Sequence, residues 1–135
     1  MSNINKITAN EQLFTELTPE EGAVVAGGAY LYIEKIHAIN AGADTTSKDD
    51  TYITVDGNKI WGEKYFTDGD SHDVKFTKHF NGELSINLYD SDSNLFEGDD
   101  DFMGGFTVSS ASTNGMSIET VSGGGSTYQV HYKVS

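Results

Sequence analysis

The stretch from Glu83 to Val108, ELSINLYDSDSNLFEGDDDFMGGFTV, decides the fold. Leu84, Ile86 and Leu88 alternate with Ser85, Asn87 and Tyr89, the period-two pattern of a strand with one buried face. That strand runs straight into a short acidic connection holding Asp90, Asp92, Glu97, Asp99, Asp100 and Asp101, with Asn94 among them. Like charges this close repel unless something positive binds between them. Calcium suits such a set, because it is held by about six to eight oxygens, mostly carboxylate and carbonyl. The chain resumes as a strand at Phe102, with Phe106 and Val108 on one side.

Working outward, the same alternation recurs along the chain. Leu31 and Ile33 alternate, and Ile36 and Ala38 continue one residue out of phase, which predicts a bulge around Lys35. Thr51 to Val55 is a second strand, closed by Asp56-Gly57, a strong tight-hairpin signal. Lys59 to Tyr65 is a third. Val74, Phe76 and Phe80 mark a fourth, and Asn81-Gly82 turns it into the strand quoted above. Phe102 to Ser109 is the sixth, Met116 and Ile118 mark a seventh, and Tyr128, Val130, Tyr132 and Val134 give an eighth. Eight short antiparallel strands with turn residues between them predict an all-β domain, a Greek-key β-sandwich or a barrel.

Successive connections in such a chain fall at alternate ends. One end then collects Asp56-Gly57, Asn81-Gly82 and Ser110 to Gly115, and is nearly neutral. The other collects Asp44, Asp49 and Asp50, then Asp68, Asp70 and Asp73, then the acidic connection of the quoted stretch. Most of the acid is expected on one rim.

Composition agrees with a cation as partner. The 135 residues carry 8 Lys+Arg against 21 Asp+Glu, a formal charge of -13, which disfavours nucleic acid and unaided attraction to anionic lipid. The absence of cysteine removes disulfides and thiolate sites. No apolar run approaches the roughly 20 residues that span a bilayer.

The chain divides at Gly27-Gly28. Asn10 to Val25 reads as a short amphipathic helix, with Thr18 as cap, Pro19 at the first helical position and Glu21 completing a capping box. The segment LFTELTPEEGAVVAGG resembles the double-glycine leaders of bacterial, notably cyanobacterial, exported peptides, which a peptidase fused to an ABC exporter removes after the second glycine. That resemblance implies that residues 1–28 are a leader and that residues 29–135 form the mature domain, secreted from the cell. A helix ending in a glycine cap is the alternative for the same residues.

From Tyr30 to Ser135 the sequence resembles the C2 domain, the calcium- and phospholipid-binding β-sandwich of protein kinases C and synaptotagmins. IHAINAGADTTSKDDTYITVDGNKIW is similar to that family's first calcium loop and following strand, with Asp44 and Asp50 before Tyr52 at the ligand positions. LSINLYDSDSNLFEGDDDFMGG is similar to the third calcium loop, with Asp90, Asp92 and Asp101 in the corresponding places. The resemblance implies a calcium site of these five aspartates. It also implies a type II topology, in which the final strand lies where the other permutation places its first. The third loop is longer than the family's usual one, so Asp99 or Asp100 can stand in for Asp101, and Asp49 and Asp70 are further candidates. The family's Asn-Pro-x-Trp-Asn segment is replaced by TDGDSHDV, and a Lys-rich strand for inositol lipids is not evident. Leu95 and Phe96, apolar at the tip of a charged loop, correspond to tips that dip into bilayers once the ion cancels the loop's charge.

Other readings of these residues are weaker. Asp90, Asp92, Asn94 and Asp101 match positions 1, 3, 5 and 12 of an EF-hand loop, but Leu95 stands where glycine is needed and both flanks are strand-patterned. Solvated acidic loops without a specific ion are the plainest alternative. His37, His72, His79 and His131 are scattered, without zinc-like spacing. No nucleophile elbow or phosphate-cradling loop is present, so the chain reads as a non-enzymatic module. An adhesion or carbohydrate-recognition sandwich with structural calcium, or a secreted bacteriocin-like effector, remains the alternative, and the oligomeric state is open.

Overall fold

The computed structural model describes residues 28–42, 48–92 and 100–135. The helix expected at Asn10 to Val25 lies outside them, as do Gly27, Asp44, Leu95, Phe96, Glu97 and Asp99. The described residues form eight strands: β1 Ala29–Asn40, β2 Asp49–Val55, β3 Asn58–Phe66, β4 Ser71–Phe80, β5 Glu83–Asp90, β6 Asp101–Ser109, β7 Ser117–Gly123 and β8 Ser126–Val134. They make two four-stranded sheets, ordered β4-β1-β8-β7 and β3-β2-β5-β6, and every pairing is antiparallel. The last strand lies between β1 and β7.

The alternation in the sequence becomes the core. Leu31, Ile33, Ile36 and Ala38 of β1, Tyr128, Val130 and Val134 of β8, and Ile53, Val55, Leu84, Ile86 and Leu88 of the facing sheet are all buried. The phase change in β1 is a register shift between Ile33 and Lys35 against both neighbours, which turns Ile36 back toward the core. Asp56 and Gly57 both have positive φ, the backbone that a two-residue hairpin requires. Trp61 lies partly buried against the core, 6.3 Å from Phe66. Gly28, just before β1, has φ 71°, and a Cβ there would stand 2.4 Å from the carbonyl oxygen of Phe80. Glycine is thus needed at that position for packing, whatever happens to the bond after it.

Two details differ from the periodicity. Met116 and Ile118 are 51% and 55% exposed, and Val121 is the buried apolar residue of β7. The β7–β8 hairpin sets this phase: Val121 opposes buried Tyr128, whereas Ile118 opposes His131. In β6, Phe102 is 51% exposed and Met103 fully buried. Tyr89 opposes Phe102 and Asn87 opposes Gly105, so β6 carries an extra residue there and its faces exchange. Gly104, at φ 109°, absorbs the bulge, and a Cβ there would lie 2.7 Å from the carbonyl oxygen of Ser122.

Candidate metal centre at the acidic rim

The described ends of the β1–β2 and β5–β6 connections and the β3–β4 and β7–β8 turns come together at one end of the sandwich. The Ala41 amide donates to Asp68 Oδ1 at 2.8 Å, the Asn40 side chain to the Gly125 carbonyl at 3.1 Å, and the Ser91 amide to the Asp50 carbonyl at 2.8 Å. The strand count and the crossing pattern read from the sequence therefore gather the acidic segments on one rim.

Asp90 ends β5 on the same face as Leu88 and Ile86, so its carboxylate points inward and is buried. It pairs in register with Thr51 on one side and with Asp101 on the other. The Asp50 amide donates to Asp90 Oδ1 at 2.7 Å, which ties the start of β2 to the end of β5. Asp92 follows two residues beyond. Carboxylate oxygens of Asp90, Asp92 and Asp101 all lie within 4.8 Å of one another. Calcium–oxygen bonds of about 2.4 Å put ligand oxygens on opposite sides of the ion about 4.8 Å apart, so this donor set has the span and hardness for calcium. At about 4 Å each like-charge pair costs roughly 1 to 4 kcal/mol, depending on local dielectric. The Asp101 carboxyl is accordingly pushed up, first by partial burial and then by the charges of Asp92, Asp49 and Asp100.

The remaining acidic candidates are held differently. Asp49 is fully buried, and its Oδ2 accepts from Ser126 Oγ at 2.8 Å and from Tyr128 OH at 2.7 Å. Tyr128 OH also lies 2.8 Å from Thr51 Oγ1, so this cluster joins β2 to β8 across the sandwich. Asp70 caps its own turn, with Oδ2 accepting from the Thr67 amide at 2.8 Å and the Thr67 hydroxyl at 3.0 Å, and these bonds hold its carboxyl low. Asp100 accepts from Tyr52 OH at 2.5 Å through Oδ2 and from the Asp92 amide at 2.9 Å through Oδ1. Those two bonds, the Tyr52 one foremost, hold its carboxyl below the usual range. Asp50 stands at the rim beside the Asp90, Asp92 and Asp101 group, joined to it through its backbone amide.

The sequence reading missed the Asp49–Ser126–Tyr128 cluster and the Tyr52–Asp100 bond. The first had a signal: Asp49, Thr51, Ile53 and Val55 alternate, which turns Asp49 inward and Asp50 outward. The second joins Tyr52 in β2 to Asp100 just before β6 and leaves no mark in either one's periodicity.

No protein-family model matches the sequence, and no curated protein matches it. Solved structures do. A chain described as "Structure of a C2 domain" shares 15% identity at a TM-score of 0.51, covering 79% of this chain and 98% of that one. A chain holding both C2 domains of extended-synaptotagmin 2 shares 20% identity at a TM-score of 0.51, covering 98% of this chain and 47% of that one. This protein thus spans about half of that two-domain chain. The fold is that of C2 domains.

Proposed function

We propose that the protein is a non-enzymatic calcium-binding module that docks, once loaded, on an anionic surface such as a phospholipid bilayer. The observation that carries this reading is the meeting of the Asp90, Asp92 and Asp101 carboxylates within 4.8 Å on a rim of a strongly acidic chain. These three would hold the ion, with Asp50 and Asp44 of the first connection as further ligands and backbone carbonyls and water completing the shell. When bound, calcium supplies the positive charge that the rim lacks. The protein's own residues do the rest: the carboxylates set the ion at the rim, and Leu95 and Phe96 provide an apolar anchor. A formal charge of -13 opposes binding to anionic lipid without the ion, so docking is expected to be calcium-dependent. The C2-like fold supports the reading.

Co-sedimentation with phosphatidylserine-containing vesicles tests it. Binding should appear with millimolar calcium, vanish with chelator, and be lost in D90N/D92N. Calcium binding without sedimentation would keep the metal site and overturn the lipid surface. Residues 1–28 we read as an export leader, in which case the mature protein begins at Ala29; a secreted product that still carries residues 1–28 would contradict this.

A further inference from the structure

We infer that Tyr52 is a positioning residue for the calcium site, acting through Asp100; the inference rests on the calcium reading above. On the outer face of the β3-β2-β5-β6 sheet, Tyr52, Tyr89 and Phe102 stand side by side on neighbouring strands, Tyr89 opposing each of the other two. The Tyr52 and Tyr89 rings are stacked at 5.3 Å with planes 16° apart, and Phe102 follows at 5.4 Å from Tyr89. On the other side of Tyr52, Lys59 Nζ lies 4.4 Å from the ring centroid, itself held 2.8 Å from Glu63 Oε2. The column of cation and rings leaves the Tyr52 phenol little freedom.

That phenol is aimed at the rim. Its hydroxyl donates to Asp100 Oδ2 at 2.5 Å, and Asp100 Oδ1 accepts the Asp92 amide at 2.9 Å. Asp92 lies two residues beyond β5 and Asp100 directly before β6, and the bond between them ties those two strand ends together. Each of the three grouped carboxylates adjoins this device: Asp90 follows Tyr89, Asp101 precedes Phe102, and Asp92 is held by its own amide. With hydrogen bonds on both oxygens, Asp100 serves as the link that fixes Asp92 and Asp101 relative to each other. A rigid phenol therefore sets the spacing of ligands that it does not itself belong to, which is how groups behind a metal's ligands raise affinity.

Calorimetric calcium titration of the full chain and of Y52F, D100N and Y52F/D100N tests this, with Y30F as an exposed-tyrosine control. Y52F keeps the ring column and every carboxylate, yet its dissociation constant should rise roughly tenfold or more, as removal of such outer partners does. D100N should weaken binding to a similar extent, and the double variant should be no weaker than D100N alone. Melting of the calcium-free proteins provides the structural readout, since a purely structural tyrosine would lower that temperature and leave affinity unchanged. Y52F affinity within about twofold of the parent, or effects of Y52F and D100N that multiply, would overturn the inference while leaving the calcium site standing. If Y52F fails to fold, D100N decides: parental affinity overturns the inference, and a tenfold loss supports it. A parent chain that takes no calcium would remove the site and the positioning role together.

Discussion

Gly104 is the residue on which the shape of the acidic hairpin turns. Its φ of 109° lies in a region that L side chains rarely adopt, and a Cβ would press into the β7 backbone at Ser122. G104A should therefore cost at least about 2 kcal/mol in urea denaturation, from strain and from displaced backbone together. A variant within about 0.5 kcal/mol of the parent would show that the bulge relaxes freely. Asp49 presents the other single-residue question, because its carboxylate is fully buried and its stability depends on what donates to it. Y128F keeps the ring and removes one of the two hydroxyl donors named above. We expect a loss of about 2 kcal/mol, the usual size for a hydrogen bond to a charged group. An unchanged unfolding free energy would mean that the other partners of Asp49 suffice.

Among the elements, β8 ties the sandwich together. It pairs with β1 and β7 within its sheet, and through Tyr128 it reaches β2 in the other. His131 lies on the outer side of β8 in register with Lys35 and Ile118. Burial is the main cause that lowers its pKa; the nearby Lys35 and His37 charges add to this, and Glu34 opposes them. A depressed histidine gives stability that is present above the unfolded pKa, near 6.5, and is lost as pH falls through the folded value. The parent should thus lose stability relative to H131Q between about pH 7 and 5, read as the difference of two melting curves. Parallel curves across that range would show that His131 titrates as it does in the unfolded chain.

Much of this architecture was legible because strands with one buried face write themselves as alternation. The quoted hairpin, the bulge in β1, the Asp56-Gly57 and Asn81-Gly82 turns and the clean alternation of β8 all follow from local sequence. The facing of Phe102 and Ile118 was not legible, for a shared reason. Their facing is set by partners, a bulge taken up at Gly104 in one case and the register against Tyr128 in the other, and partner geometry is not local. The grouping of Asp90, Asp92 and Asp101 was legible through the resemblance to a calcium loop, and all three lie on one hairpin. The Tyr52–Asp100 bond joins β2 to the residue before β6, far apart in sequence, and was not.

At the scale of the whole molecule, the charge distribution is the governing fact. The described residues place one rim's carboxylates against each other, and the two ion pairs among them, Lys59–Glu63 and Lys75–Glu34, engage none of Asp90, Asp92 and Asp101 directly. The calcium-free rim is therefore under electrostatic tension, and an ion that binds the folded rim alone should stabilise the fold by mass action. Magnesium demands oxygens at about 2.1 Å in near-octahedral array and gives up its waters reluctantly, so calcium is the expected ion for a rim of carboxylates. Asp92 is the largest neighbouring charge acting on Asp101. D92N should relieve repulsion and remove a ligand at once, two effects with opposite signs in the two states.

The most direct measurement is the melting temperature of the intact chain and of D92N, each with chelator, with millimolar calcium and with millimolar magnesium. The account predicts a rise for the parent in calcium of several degrees, little change in magnesium, no calcium response in D92N, and calcium-free D92N melting at or above the calcium-free parent. A parent whose melting is indifferent to calcium, or a D92N protein that responds as the parent does, would contradict the claim that this rim is a calcium site.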